Sequence, residues 1–258
     1  MTLSAVCGRW RELAIAIPSL WASIEIDSVR WNEGECQLLP HLTQIFLERS
    51  KSVPLKLELN FLRFDLDAEE WEDAKRMFEV LIQYSHRWYS LKLCILRTGL
   101  DHHLYQYLRG RLPMLKHESV DNDGRDDNDE TTPWDIFELC LSLTSFSLQP
   151  GDSLTKGIVL PWHQITSATF EYSYSVHNAF DILSRCPNLE WLYVETMDDE
   201  DESDRVHHLH SSTLRHLSVH AISHTRLSRS IGNMTLPQVA SVEISGVRER
   251  ASGIRHGM

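Results

Sequence analysis

One short apolar pattern recurs along most of this chain and limits what it can fold into. Written x-x-x-Φ-x-Φ, with Φ apolar, it appears as P-L-K-L-E-L ending at Leu59 and W-Y-S-L-K-L ending at Leu93. It continues as M-L-K-H-E-S-V to Val120, L-T-S-F-S-L to Leu148 and I-T-S-A-T-F to Phe170. L-E-W-L-Y-V then ends at Val194, L-R-H-L-S-V at Val219 and V-A-S-V-E-I at Ile244. Apolar residues at every second position mark a strand with one face buried. The intervals between the final apolar residues are 34, 27, 28, 22, 24, 25 and 25 residues. A unit of that length with one strand cannot bury its apolar face alone, so neighbours must stack.

Three units share a lead-in: L-P-x-L at Leu112 to Leu115, C-P-N-L at Cys186 to Leu189 and L-P-Q-V at Leu236 to Val239. Proline there is expected to end a helix and set the chain extended for the strand. Leucine-rich repeats run at roughly 20–29 residues with one strand each, and the chain resembles them in spacing. Their regular asparagine position is mostly missing, so short helices or turns should link the strands irregularly. The expected fold class is α/β, an irregular leucine-rich-repeat-like solenoid with a curved parallel sheet over residues 23–247. An ordinary α/β domain with helices between its strands is the alternative.

Ahead of the regular units, Ile24 and Ile26 in SIEID read as a short strand. Leu38, Leu39, Leu42, Ile45 and Phe46 fit one face of a helix over about residues 37–50, with Pro40 in its first turn. A second helix opens near Asp67, with Glu69 and Glu70 where the macrodipole favours anions. Its apolar face is Trp71, Ala74, Met77, Phe78, Leu81 and Ile82. From Arg248 onward the apolar content is low, and residues 248–258 are expected to form a flexible tail.

The N-terminal stretch LSAVCGRWRELAIAIPSLW, Leu3 to Trp21, places Leu3, Val6, Cys7, Trp10, Leu13, Ala14 and Ile17 on one helix face. That face should pack on a core. Pro18 stops the helix, and Leu20 and Trp21 should fold back onto the same face. The identities V-C-x-x-W-R-x-x-A followed by P-x-L-W resemble the second half of an F-box, in the form common in fungal F-box and leucine-rich-repeat proteins. The matching residues are Val6, Cys7, Trp10, Arg11, Ala14, Pro18, Leu20 and Trp21.

The resemblance implies that Val6, Cys7, Trp10, Arg11, Pro18, Leu20 and Trp21 bind the adaptor subunit of a cullin–RING (SCF-type) ubiquitin ligase. It also implies that the repeats hold an unknown protein substrate. In that family the F-box opens with a helix introduced by L-P-x-E-I/L-L, and no such motif precedes Leu3 here. Residues 1–22 are therefore expected to be a partial F-box-like helix, whose face of Leu3, Val6 and Trp10, normally packed on that first helix, is either exposed or repacked on the first repeat. A repeat scaffold that binds a protein without a ligase role is the alternative.

Charge narrows the partners. The net charge of -12 is concentrated in two runs, six acids with one arginine in Asp121 to Glu130 and six acids in Asp198 to Asp204. The rest of the chain is nearly neutral and carries no basic stripe, so nucleic acid is not expected as a partner. No apolar run is long enough to span a membrane, and no secretory leader is recognisable. Five scattered cysteines without a C-x-x-C pair suit buried, reduced thiols inside a cell. The chain is expected to be an intracellular monomer, in cytoplasm or nucleus.

Chemistry-bearing motifs are sparse. Ser119 to Glu130 matches a twelve-residue calcium loop at Asp121, Asp123, Gly124, Asp127 and Glu130, but position one is serine and the lead-in is a strand. A solvated loop is the plainer reading. His216 and His220 alternate along a strand with Ser218, and no H-E-x-x-H or cysteine set completes a zinc site. No nucleophile elbow or phosphate loop occurs. The expectation is therefore no enzyme, no cofactor and no metal. Alternate strand positions, including Lys92, Ser145, Ser147, Thr169, Tyr193, His216, Ser218 and Glu243, should line the concave face. There Tyr172, Trp191, Tyr193 and His216 are the candidate partner-binding residues.

Overall fold

All the expected strands form, and in each part of the chain they pair parallel and in chain order. The computed structural model describes residues 7–27, 36–61, 68–95, 106–122, 135–149, 158–173, 184–196, 209–221 and 234–245. The chain divides into two compact units, Met1–Pro161 and Trp162–Met258. In the first, the elements are α1 (Gly8–Ala16), β1 (Ser23–Asp27), α2 (Leu39–Arg49), β2 (Leu55–Phe61), α3 (Ala68–Gln83), β3 (Trp88–Ile95), β4 (His117–Asn122) and β5 (Ser145–Gln149). Its strands run in the order β1-β2-β3-β4-β5. The second unit holds β6 (Ser167–Ser173), β7 (Trp191–Thr196), β8 (Leu209–His210), β9 (His216–Ala221), β10 (Met234–Thr235) and β11 (Ser241–Ser245). Here β6-β7-β9-β11 are neighbours, while β8 pairs separately with β10.

The registers follow the apolar pattern residue for residue. Leu59 pairs with Leu93, Leu93 with Val120, and Val120 with Leu148. Phe170 pairs with Val194, Val194 with Val219, and Val219 with Ile244. A one-residue slip would turn each apolar set to the opposite face, so burial holds the register. Leu55, Leu59, Leu91, Leu93, Phe146, Leu148 and Phe170 are almost wholly buried, each worth roughly 1.5–3 kcal/mol against exposure. The row ends at β11, where Val242 and Ile244 remain exposed.

The proline lead-ins correct the expectation. They are tight turns, not extended chain. The amide of Leu115 bonds the Leu112 carbonyl, Leu189 bonds Cys186 and Val239 bonds Leu236, at 3.3–3.4 Å. Proline therefore sits at the second position of a four-residue turn, where its fixed φ fits. Cys140 to Leu143 and Trp162 to Ile165 close the same way without proline. At the third turn position a polar side chain reaches the preceding turn. Ser142 Oγ donates to the Pro113 carbonyl at 2.7 Å, Asn188 Nδ2 to His163 at 2.6 Å and Thr213 Oγ1 to Pro187 at 3.0 Å.

Just before β4, β6, β7 and β9, one carbonyl accepts two amides from the next unit. Lys116 receives Thr144 and Ser145, Thr166 receives Glu190 and Trp191, Glu190 receives Arg215 and His216, and Arg215 receives Ala240 and Ser241. All eight bonds measure 2.8–3.1 Å, and a carbonyl has two lone pairs to accept them.

In the first unit α3 buries Ala74, Met77, Phe78, Leu81 and Ile82, as its spacing requires, and Phe78 meets Trp88 edge-on at 6.3 Å. The inward face of α2 differs from the expectation. Thr43 and Leu47 are buried, while Leu38 and Leu42 are exposed. Arg87 explains the rotation. Its guanidinium bonds the Leu47 and Val53 carbonyls and Ser50 Oγ, so the Leu47–Ser50 side turns inward. This buried cation closes the negative end of α2.

Glu118 breaks the inner row. It lies between Leu91 and Phe146, is 3% exposed, and among the described residues neither carboxylate oxygen has a hydrogen-bond partner. Burial pushes its pKa up to about 8. The folded state therefore holds a proton that the unfolded chain releases near the ordinary value of 4.5. Its contribution leaves stability highest below that value, falling as pH rises towards about 8 and level above.

Glu118→Leu is expected to stabilise the protein at pH 8 and to flatten this decline, by about 1.4 kcal/mol per unit of lost shift. Urea midpoints of both proteins at pH 5 and pH 8 check it. Asn188→Ala is expected to cost about 1 kcal/mol through the lost turn-to-turn bond, read from the same kind of unfolding curve.

Candidate functional site

Two surfaces emerge, one on the N-terminal helix and one on the sheet of the second unit. Helix α1 begins one residue after Cys7, whose carbonyl accepts the Arg11 amide at 3.0 Å. Ile17 is extended, as a residue before proline must be, and a 3-10 turn follows over Pro18–Trp21. Of the two expectations for the apolar face of α1, packing on a core does not hold and exposure does, for the described residues. Ala14 alone of the helix is buried, while Trp10 is 53% exposed and Leu13, Ile15 and Ile17 are also exposed.

Trp21 explains how α1 is held with so little burial. Its Nε1 donates to the Ala14 carbonyl at 2.7 Å, an acceptor it shares with the Ile17 amide at 3.4 Å that closes the helix. The ring meets Phe46 edge-on at 5.1 Å and lies under the Arg49 guanidinium at 4.4 Å. Both partners are on α2. Leu20 does not fold back with Trp21, because a 3-10 turn sends consecutive side chains about a third of a turn apart. Leu20 is half-exposed instead. Leu42, one turn before Phe46 on α2, is exposed too.

Of the residues that resemble an adaptor-binding set, Trp10, Arg11 and Leu20 are thus exposed, and so is Cys7. Pro18 is half-buried and Trp21 forms the clip. Val6 lies outside the described residues.

On the sheet, the open face of the second unit comes from alternate residues of its four long strands. Trp191, His216 and Ser241 share one row, and Tyr193, Ser218 and Glu243 the next. Glu195, His220 and Ser245 form a third row. The Trp191 and His216 rings stand 6.1 Å apart, tilted by 38°. His220 Nδ1 and Ser245 Oγ share a hydrogen bond of 3.1 Å. Trp191, Tyr193 and His216 are therefore brought together as the alternation required. Tyr172 falls where the β6 register shifts, and its side chain lies outside the described part. In the first unit the matching face carries Lys92, paired with Glu58 at 2.9 Å.

The other candidates sit as follows. Ser119 to Asn122 lie in β4, extended in the sheet, where a calcium loop would have to wrap its ion. Asp123 to Glu130 and the run Asp198 to Asp204 lie outside the described residues. Among the described residues no group of three or more His, Cys, Asp and Glu is placed to hold a metal. No helix there is long and apolar enough to cross a membrane. Cys94, Cys140 and Cys186 are buried free thiols, whereas Cys7 is exposed, contrary to the expectation for it. Burial pushes Cys140 and Cys186 up to about 12, with the nearby Glu118 adding to the shift at Cys140. Both stay protonated thiols and serve as packing at the first turn position.

No known protein-family model matches the chain, and no curated protein sequence matches it.

The clip gives a direct expectation. Trp21→Phe keeps the ring contact with Phe46 but loses the bond to Ala14, so α1 should loosen while the sheet keeps its stability. Faster amide exchange at Arg11 to Ile17, with an unchanged main unfolding midpoint, is the expected result.

Proposed function

We propose that this chain is a protein-interaction module resembling the substrate receptor of a cullin–RING ubiquitin ligase. In this reading α1 and its following turn dock on the ligase adaptor, and the open sheet faces hold a protein target. The observation that carries it is the half-exposed apolar surface of Trp10, Leu13, Ile17 and Leu20, held in place by Trp21. Exposed apolar patches rimmed by charge mark docking sites, and Arg9, Arg11 and Glu12 are exposed beside this one. The F-box-like identities lie on the same stretch. The strand order supports a repeat stack, because neither unit has the reversal of order at which open α/β sheets bind small ligands.

Such a receptor does no bond chemistry. It holds a target near the transferase, and its work is proximity. The place of action is then the cytoplasm or nucleus, and the partners are the adaptor and one protein target.

Co-purification of the chain with the ligase adaptor tests this. The adaptor should be retained by the chain, and Leu13→Asp or Leu20→Asp should reduce retention at least about tenfold, since a buried interface charge costs several kcal/mol. Absence of retention would support the scaffold reading, in which the sheet faces bind a protein without a ligase.

A further inference from the structure

The open face of β6, β7, β9 and β11 combines exposed aromatic surface with acid that enters no ion pair among the described residues. No lysine or arginine occurs anywhere in these four strands. Glu195 and Glu243 stand on the face, and among the described residues neither enters an ion pair. Trp191 leaves 47% of its surface exposed, with His216 at one edge. The first unit differs, because there Lys56 and Lys92 alternate with Glu58 on the same side.

Sheet geometry fixes the spacing of these groups. Strands lie about 4.8 Å apart, and residues two apart on one strand about 6.6 Å. Trp191 and Glu195 are four residues apart on β7, hence about 13 Å. Glu243 sits two strands over and one row along from Trp191, hence about 12 Å, and the same holds from Glu195. The three groups mark a triangle of nearly equal sides. An extended peptide covers such a side in four residues, and its residues i and i+4 point the same way.

We propose that this face binds an extended protein segment bearing arginine or lysine at i and i+4, one cation stacked on Trp191 and the other paired with Glu195 or Glu243. Arginine suits the first position best, because its planar guanidinium lies flat on an indole and still offers hydrogen bonds at its edge. Tyr193 and Ser218, between the three points, supply hydroxyls to the segment's backbone. The inference rests on reading the sheet face as the partner platform and is independent of adaptor docking. It adds the chemistry of the partner: a cationic, extended segment.

The test uses the whole chain with isotope-labelled tryptophan and the peptide Gly-Arg-Ser-Gly-Ser-Arg-Gly as probe. The Trp191 indole N–H resonance is assigned by its loss in Trp191→Phe. Saturable movement of that resonance with the arginine peptide, and none with Gly-Glu-Ser-Gly-Ser-Glu-Gly, is the expected result. Glu195→Gln combined with Glu243→Gln, which removes both carboxylates the second cation can pair with, should weaken the apparent affinity about fivefold, in line with one partly exposed ion pair. A resonance indifferent to the arginine peptide overturns the proposal. So does an unchanged affinity in the double variant, which would mean general attraction to a chain of net charge -12. The adaptor experiment and this titration fail separately, since the titration contains no adaptor and the α1 variants leave the sheet untouched.

Discussion

A single carbonyl ahead of four of the strands determines where the next strand lies. Lys116, Thr166, Glu190 and Arg215 each accept two consecutive amides from the unit that follows. Two bonds on one acceptor fix both the position and the direction of the incoming backbone. Strand register follows, then the inner apolar rows, then which side chains stand on the open face. Trp191, Tyr193 and His216 share a surface because this acceptor is repeated at Thr166, Glu190 and Arg215.

Two buried ionisable groups show different solutions to the same difficulty. Arg87 keeps its charge by meeting carbonyls and a hydroxyl at the end of α2, so it joins a helix end, a loop and a strand. Glu118 meets no donor among the described residues and lies in an apolar row. Losing its charge is the cheaper course, since an unpaired buried carboxylate costs far more than a bound proton. The first unit thus gains an anchor from one group and a proton-dependent weakness from the other.

The strands were legible because alternation and spacing are both local in sequence and both survive in the fold. Leu59, Leu93, Val120 and Leu148 end the same alternating pattern, and the backbone pairs them. The lead-ins were misread because proline at the second position of a turn and proline before a strand leave the same letters. The polar third position, Ser142, Asn188 and Thr213, was missed because no single residue type fills it. The rotation of α2 was not legible either, since it depends on Arg87 from far along the chain. Exposure of α1 escaped periodicity for a further reason: an apolar stripe records that a face wants a partner, and says nothing of whether that partner is in the same chain.

Strict neighbour pairing also governs how the molecule comes together. Within each unit a strand of the main sheet pairs only with the preceding and following strands of that sheet. Every closure is therefore a short one, and its entropic cost barely changes from strand to strand. Contacts of such short sequence separation favour fast folding, and they let a strand already formed offer its free edge to the next unit.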